Sequence, residues 1–102
     1  VGEFGRTPNI AQNNGMGLVG RGHWAAAYSA LFAGAGVQGG QLIGKTDHIG
    51  AYPLTSPFHP NDLGATVYNC LGVDPAAVLH HRQGRPIHLN RGKIMRELFH
   101  SA

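Results

Sequence analysis

The sequence has a single cysteine, Cys70, so it can form no internal disulfide and carries no CxxC metal or redox motif. Its expected place is a helix face, as a small buried apolar residue. Charge is also scarce. Only 13% of the 102 residues are Asp, Glu, Lys or Arg, against 42% hydrophobic, which excludes a charge-rich disordered tail and a coiled coil. Long hydrophobic runs are missing too: the longest, Trp24 to Val37, is broken by Ser29, Gly34 and Gly36, so a membrane span of about 20 apolar residues is excluded. No initiator methionine is present, and Val1-Gly2-Glu3-Phe4-Gly5 reads as the exit from a strand that starts earlier.

What the chain does have is glycine, 16 residues of it, with six prolines, which points to a packed, loop-rich fold in one unit spanning residues 1–102. Eight basic residues outnumber five acids for a net charge of +3; read as spread along the chain, they set nucleic acid aside as a partner.

Residues 5–22 are dense in Gly, Asn and Pro without a sustained period and are expected to form a long loop. A buried strand is expected from Tyr28, ending in a turn at Gly34-Ala35-Gly36, and the segment from Lys45 to Pro60 is expected to be loop. The strongest element follows. Pro60 suits a first helical turn, Asp62 suits the helix dipole, and Leu63, Val67, Cys70 and Leu71 recur at helical spacing before Gly72 offers a left-handed stop. Asp74-Pro75 begins a turn, Ile87-His88-Leu89 suits an edge strand, and Lys93 to Phe99 predicts a short amphipathic helix.

Two glycine motifs imitate nucleotide sites. Gly39-Gly40-Gln41-Leu42-Ile43-Gly44-Lys45-Thr46 spells the phosphate-loop pattern, but that chemistry needs a helix starting at the lysine, and Asp47 to Pro53 is a poor helix. Gly34 to Gly39 spells GxGxxG with no room for the helix that should follow, so a glycine-permitted turn is expected. The seven histidines lack the i, i+4 pairing or cysteine partners of a local metal site and read as surface residues.

Two clusters flank the long loop, Gly2 to Pro8 and Gly20 to Trp24. Folded together, Glu3 and His23 are suitable donors for a divalent ion, and Arg6 and Arg21 could hold a phosphate or sulfate through forked hydrogen bonds. The bland reading is that Glu3 pairs with an arginine and His23 packs under Trp24. The hydroxyls Ser29, Thr46, Thr55, Ser56 and Thr66 have no adjacent base and read as structural.

Five segments in order, GEFGRTP, GRGHW, LFAGAGVQGGQLIGKTD, GAYPLTSPFHPNDLGATVYNCLGVDP and QGRPIHLNRGKIMRELF, resemble the end of the sulfatase-like domain-of-unknown-function family 1501. That resemblance implies the alkaline-phosphatase-like superfamily: an α/β sandwich with a mostly parallel sheet, two metal sites and an upstream Ser, Thr or Cys nucleophile. Within it, Glu3-Phe4 match an Asp-His metal pair and His23 a further ligand. Phe4 cannot bind metal, and Gly22 stands where relatives most often carry the aspartate of GRDHW.

The resulting expectation is the C-terminal portion of a sulfatase- or phosphatase-like hydrolase that uses a divalent metal such as zinc or calcium. It would act on an anionic small-molecule or polysaccharide ester and be inactive as this portion alone. A non-catalytic binding or scaffold protein with a degenerate metal site is the second expectation, and nucleotide binding through GGQLIGKT a distant third. Relatives suggest export to the bacterial periplasm or envelope.

Overall fold

Glycine- and proline-rich stretches divide the chain into short extended pieces, and the computed structural model, which describes residues 1–13 and 18–99, pairs these locally. There are two compact units, Val1–Phe32 with Leu42–Pro57, and Ala33–Gln41 with Phe58–Ala102.

In the first unit β1 (Gly5–Arg6) pairs antiparallel with β4 (His23–Trp24), and β2 (Ala11–Asn13) pairs antiparallel with β3 (Leu18–Gly20). The second pair is nested inside the first. Between them Pro8, Asn9 and Ile10 stand on one arm where the other has only Arg21, so the ladder is interrupted by a bulge. The long loop expected over residues 5–22 is therefore strand-paired at both ends, and residues 14–17 of it lie outside the described residues.

Farther on, β5 (Lys45–Thr46) and β6 (Pro53–Thr55) form another antiparallel pair inside a segment expected to be loop. Asp47 closes it. Its amide donates to the Tyr52 carbonyl at 3.0 Å, its carbonyl accepts from Gly50, and its Oδ1 accepts from the Ala51 amide at 2.7 Å. Gly50 supplies the left-handed turn with φ of 74°.

The second unit contains α1 (Pro60–Cys70), β7 (Val78–His80), β8 (Pro86–His88) and a 3₁₀ turn at Arg96–Leu98. The start and stop of α1 follow local chemistry. The His59 amide donates to Asp62 Oδ2 at 2.8 Å while His59 Nδ1 accepts from the Asn61 amide, which makes a capping box with a histidine at its head. Gly72, at φ of 79°, ends the helix in a Schellman motif: its amide reaches the Asn69 carbonyl and that of Val73 reaches Tyr68.

The face of α1 that packs is not the expected apolar stripe. Ala65 and Thr66 are buried, whereas Val67, Cys70 and Leu71 are exposed. The reason is the segment beside it, whose Lys93 and Met95 amides donate to Asp62 Oδ1 and Thr66 Oγ1 at 2.8 and 2.9 Å. Asp62 and Thr66 lie about one helical turn apart on the same face of α1, so the Lys93 and Met95 amides both meet acceptors there. That bonding ties Lys93 and Met95 to α1, and of the helix expected from Lys93 to Phe99 only the 3₁₀ turn forms.

The expected parallel α/β sandwich is overturned. Among the described residues every sheet is a two-stranded antiparallel pair and α1 is the single α-helix. Parallel strands need a crossover, usually helical, whereas β5 with β6 and β7 with β8 pair across short connections and β1 with β4 pairs around the nested β2 and β3. The strand expected from Tyr28 is likewise absent; residues 27–33 have no strand partner and Leu31 is 91% exposed. The turn after it does form, with Gly34, Ala35 and Gly36 all at positive φ and the Val37 amide donating to the Gly34 carbonyl. Among the described residues the buried hydrophobics are Ala51, Ala65, Met95 and Leu98, so hydrogen-bonded turns and caps carry much of the local order.

Candidate functional site

The β1 and β4 register sets Arg6 opposite His23 and Gly5 opposite Trp24. Gly5 is required there, because a Cβ on it would fall on the Ala27 carbonyl. Beyond Arg6, Thr7 extends the ladder in an unusual way. Its amide donates to the Gly22 carbonyl at 2.9 Å, while its hydroxyl, in place of its own carbonyl, accepts from the Gly22 amide at 3.0 Å. The same hydroxyl donates to the Asn9 carbonyl, which steers the chain into the bulge.

Side chains alternate across a strand, so the two faces differ in character. On one face the Phe4 ring lies against His23 with centroids 3.9 Å apart, and the Arg6 guanidinium sits 5.7 Å from the Phe4 ring centre. The other face carries Thr7 and Trp24. There Trp24 Nε1 donates to the Ala51 carbonyl at 2.7 Å and the indole meets Tyr52 edge to face at 5.8 Å. Thr7, Pro8, Trp24, Ile49 and Tyr52 border an open, largely apolar cleft of about 400 Å³.

Of the four residues read from sequence, Arg6 and His23 come together and both are exposed. Glu3 is exposed on the bend before β1, and the side chain that contacts His23 is Phe4. Arg21 is exposed at the bulge, one residue beyond the Thr7 and Gly22 pair. A catalytic zinc site takes three protein donors, and no group of three His, Cys, Asp or Glu side chains gathers among the described residues. His48, His80, His81 and His88 are exposed, and His59 is the helix cap.

Sequence reasoning missed Thr7, whose hydroxyl fixes the register beside Arg6, and the Trp24 to Ala51 bond across 27 residues. The GKT tripeptide has no phosphate-loop geometry, since Lys45 and Thr46 form β5 and no helix starts there.

An antiparallel strand pair with an arginine, a histidine and a bulge on its rim defines an exposed polar site built on turns. The chain belongs to the family described as Protein of unknown function (DUF1501), which it matches over residues 1–99. No curated protein and no solved structure matches it. Among the described residues, no helix is long and apolar enough to cross a membrane.

Proposed function

We propose that this chain forms the anion-holding portion of a sulfatase- or phosphatase-like hydrolase of the alkaline-phosphatase-like superfamily, with a small-molecule or polysaccharide ester as substrate. The observation that supports this reading is the β1 and β4 register, which sets the exposed Arg6 opposite the exposed His23 next to the Arg21 bulge. Arginine forks match the paired oxygens of a sulfate or phosphate, and such cations stabilise charge that develops on a leaving ester oxygen. The family membership and the GEFGRTP and GRGHW segments support it as well; the antiparallel pairs do not, so the reading rests on the site.

Glu3 and His23 are proposed as two donors toward a divalent ion, zinc or calcium, whose other donors must lie outside the described residues. The role assigned to Arg6 and Arg21 is electrostatic and holds without that ion. Export to the bacterial envelope goes with the same reading.

The test is hydrolysis of an aryl sulfate and an aryl phosphate by the complete protein, before and after Arg6→Ala. A rise in KM or fall in kcat of about ten- to a hundredfold is expected from loss of a charge-assisted pair. Metal analysis before and after His23→Ala checks the donors. Unchanged kinetics in Arg6→Ala overturn the reading.

A second reading, a non-catalytic binding or scaffold protein, is favoured by Phe4 filling the space against His23. It predicts sulfate binding without turnover and no bound metal in either sample.

A further inference from the structure

The basic residues are distributed less evenly than a search for charge runs suggests. Five of the eight, Arg82, Arg85, Arg91, Lys93 and Arg96, fall within residues 82–96, and no acid lies between Asp74 and Glu97. Three histidines, His80, His81 and His88, lie in the same acid-free stretch, residues 75–96. It is the one part of the sequence whose local charge exceeds the net charge of the whole chain.

The structure shapes the first half of that stretch into an arm. In β7 and β8, Val78 pairs with His88, Leu79 with Ile87 and His80 with Pro86. The arm is closed by the His81 amide donating to the Arg85 carbonyl at 2.8 Å and the Gly84 amide donating to the His81 carbonyl at 2.7 Å. Gly84, at φ of 85°, makes that turn affordable only for glycine. Leu89 and Asn90 donate back to Ala77 and Pro75, which holds the base of the arm.

Every residue from 78 to 88 is exposed. By alternation His80 and His88 share one face of the ladder. At the tip, His81 Nδ1 accepts from the Gln83 amide at 3.3 Å, so its ring proton sits on Nε2, a further donor. Arg82 and Arg85 flank Gln83 and Gly84 and add two forks of N–H donors within four residues. The tip is therefore a dense set of donors and positive charge in a stretch, residues 75–96, that contains no acidic residue.

Such a set of donors suits a polymer or surface with repeated anionic oxygens. Residues 75–96 contain no Phe, Tyr or Trp, so the large aromatic platforms on which single-stranded bases stack are lacking. The tip itself carries no apolar side chain to enter a bilayer, since Val78, Leu79 and Ile87 lie behind it. Short basic clusters of this kind match sulfated polysaccharides, whose charge lies along a flexible chain.

We propose that the β7 and β8 arm is a binding site for a sulfated or otherwise acidic polysaccharide, held by Arg82, Arg85 and the histidines beside them. The site belongs to the second unit and does not depend on the hydrolase reading of Arg6 and Arg21.

The experiment is titration of the chain with heparin as the probe, with an oligonucleotide and anionic phosphatidylserine vesicles as competitors. Arg82→Ala with Arg85→Ala is expected to weaken heparin binding about tenfold or more and to flatten its salt dependence. Lys45→Ala, which removes an exposed cation elsewhere, is expected to stay within about twofold. Equal heparin affinity in the double variant overturns the proposal. Tighter binding to the oligonucleotide or the vesicles overturns the polysaccharide assignment. Loss of heparin binding in Arg6→Ala with Arg21→Ala, with the arm variant unaffected, overturns the proposal and leaves the anion site of the first unit standing.

Discussion

The Thr66 hydroxyl accepts the Met95 amide at 2.9 Å while donating to the Asp62 carbonyl at 2.7 Å, so one buried oxygen joins α1 to the segment that leads into the 3₁₀ turn. Removing that oxygen strands the Met95 amide away from water. Thr66→Val is expected to cost about 1–3 kcal/mol, the penalty for an unsatisfied buried donor, whereas Thr66→Ser retains most of the bond. Hydrogen exchange of the Met95 amide checks this, with protection lost in the valine variant and kept in the serine variant.

Asp62 holds both sides of the same junction. Its carboxyl is held below the ordinary value of 3.8, first by the Lys93 amide and then by the His59 amide, with burial opposing and the His59 and Lys93 charges assisting. A depressed folded value means that the stabilisation is fully present above 3.8 and is lost as pH falls through the still lower folded value. Asp62→Asn is expected to cost about 1 kcal/mol near neutrality, discounted for exposure, and to remove the acid-side loss of helicity. Circular dichroism at 222 nm from neutral to acid pH reads both effects.

Gly92 lies against the start of α1. A Cβ there would fall on the Asn61 carbonyl and carbon, backbone atoms that cannot swing aside. Gly92→Ala is expected to destabilise the second unit by about 1–3 kcal/mol or more through overpacking. A lower urea midpoint for the α1 circular dichroism signal than in the parent chain would show it.

Trp24 is the sole tryptophan, and its indole N–H to the Ala51 carbonyl ties β4 to the turn before β6. Trp24→Phe leaves a buried carbonyl without its donor and is expected to cost about 1 kcal/mol. Relative to the parent chain, the fluorescence of Trp24 should move to the red when Ala51→Pro distorts the loop. An emission maximum that stays unchanged would contradict the bond.

Gly22 has room for a side chain, since its nearest neighbour would be Thr7 Cγ2 at 3.9 Å. Gly22→Asp is therefore expected to leave stability within about 0.5 kcal/mol, as for an unstrained surface change. It restores the GRDHW pattern, and calorimetric titration with zinc before and after the change measures whether a carboxylate at this position adds a metal donor.

The sequence by itself determined the elements whose chemistry is local. Pro60, Asp62 and Gly72 marked the ends of α1, and Gly34 to Gly36 marked a turn, because caps and positive φ depend on residues a few positions apart. It also singled out Arg6 and His23, through neighbouring motifs, without indicating that a strand pair would set them opposite each other. Only the tertiary structure decided which face of α1 packs, because the apolar period of Leu63, Val67 and Leu71 was outweighed by amides of Lys93 and Met95, 31 and 29 residues from their acceptors. The antiparallel pairing, the Thr7 hydroxyl in the ladder and the Phe4 contact on His23 were decided there too. Strands of two or three residues carry too few alternations to declare themselves, and hydrogen bonds between distant segments leave no period in the chain.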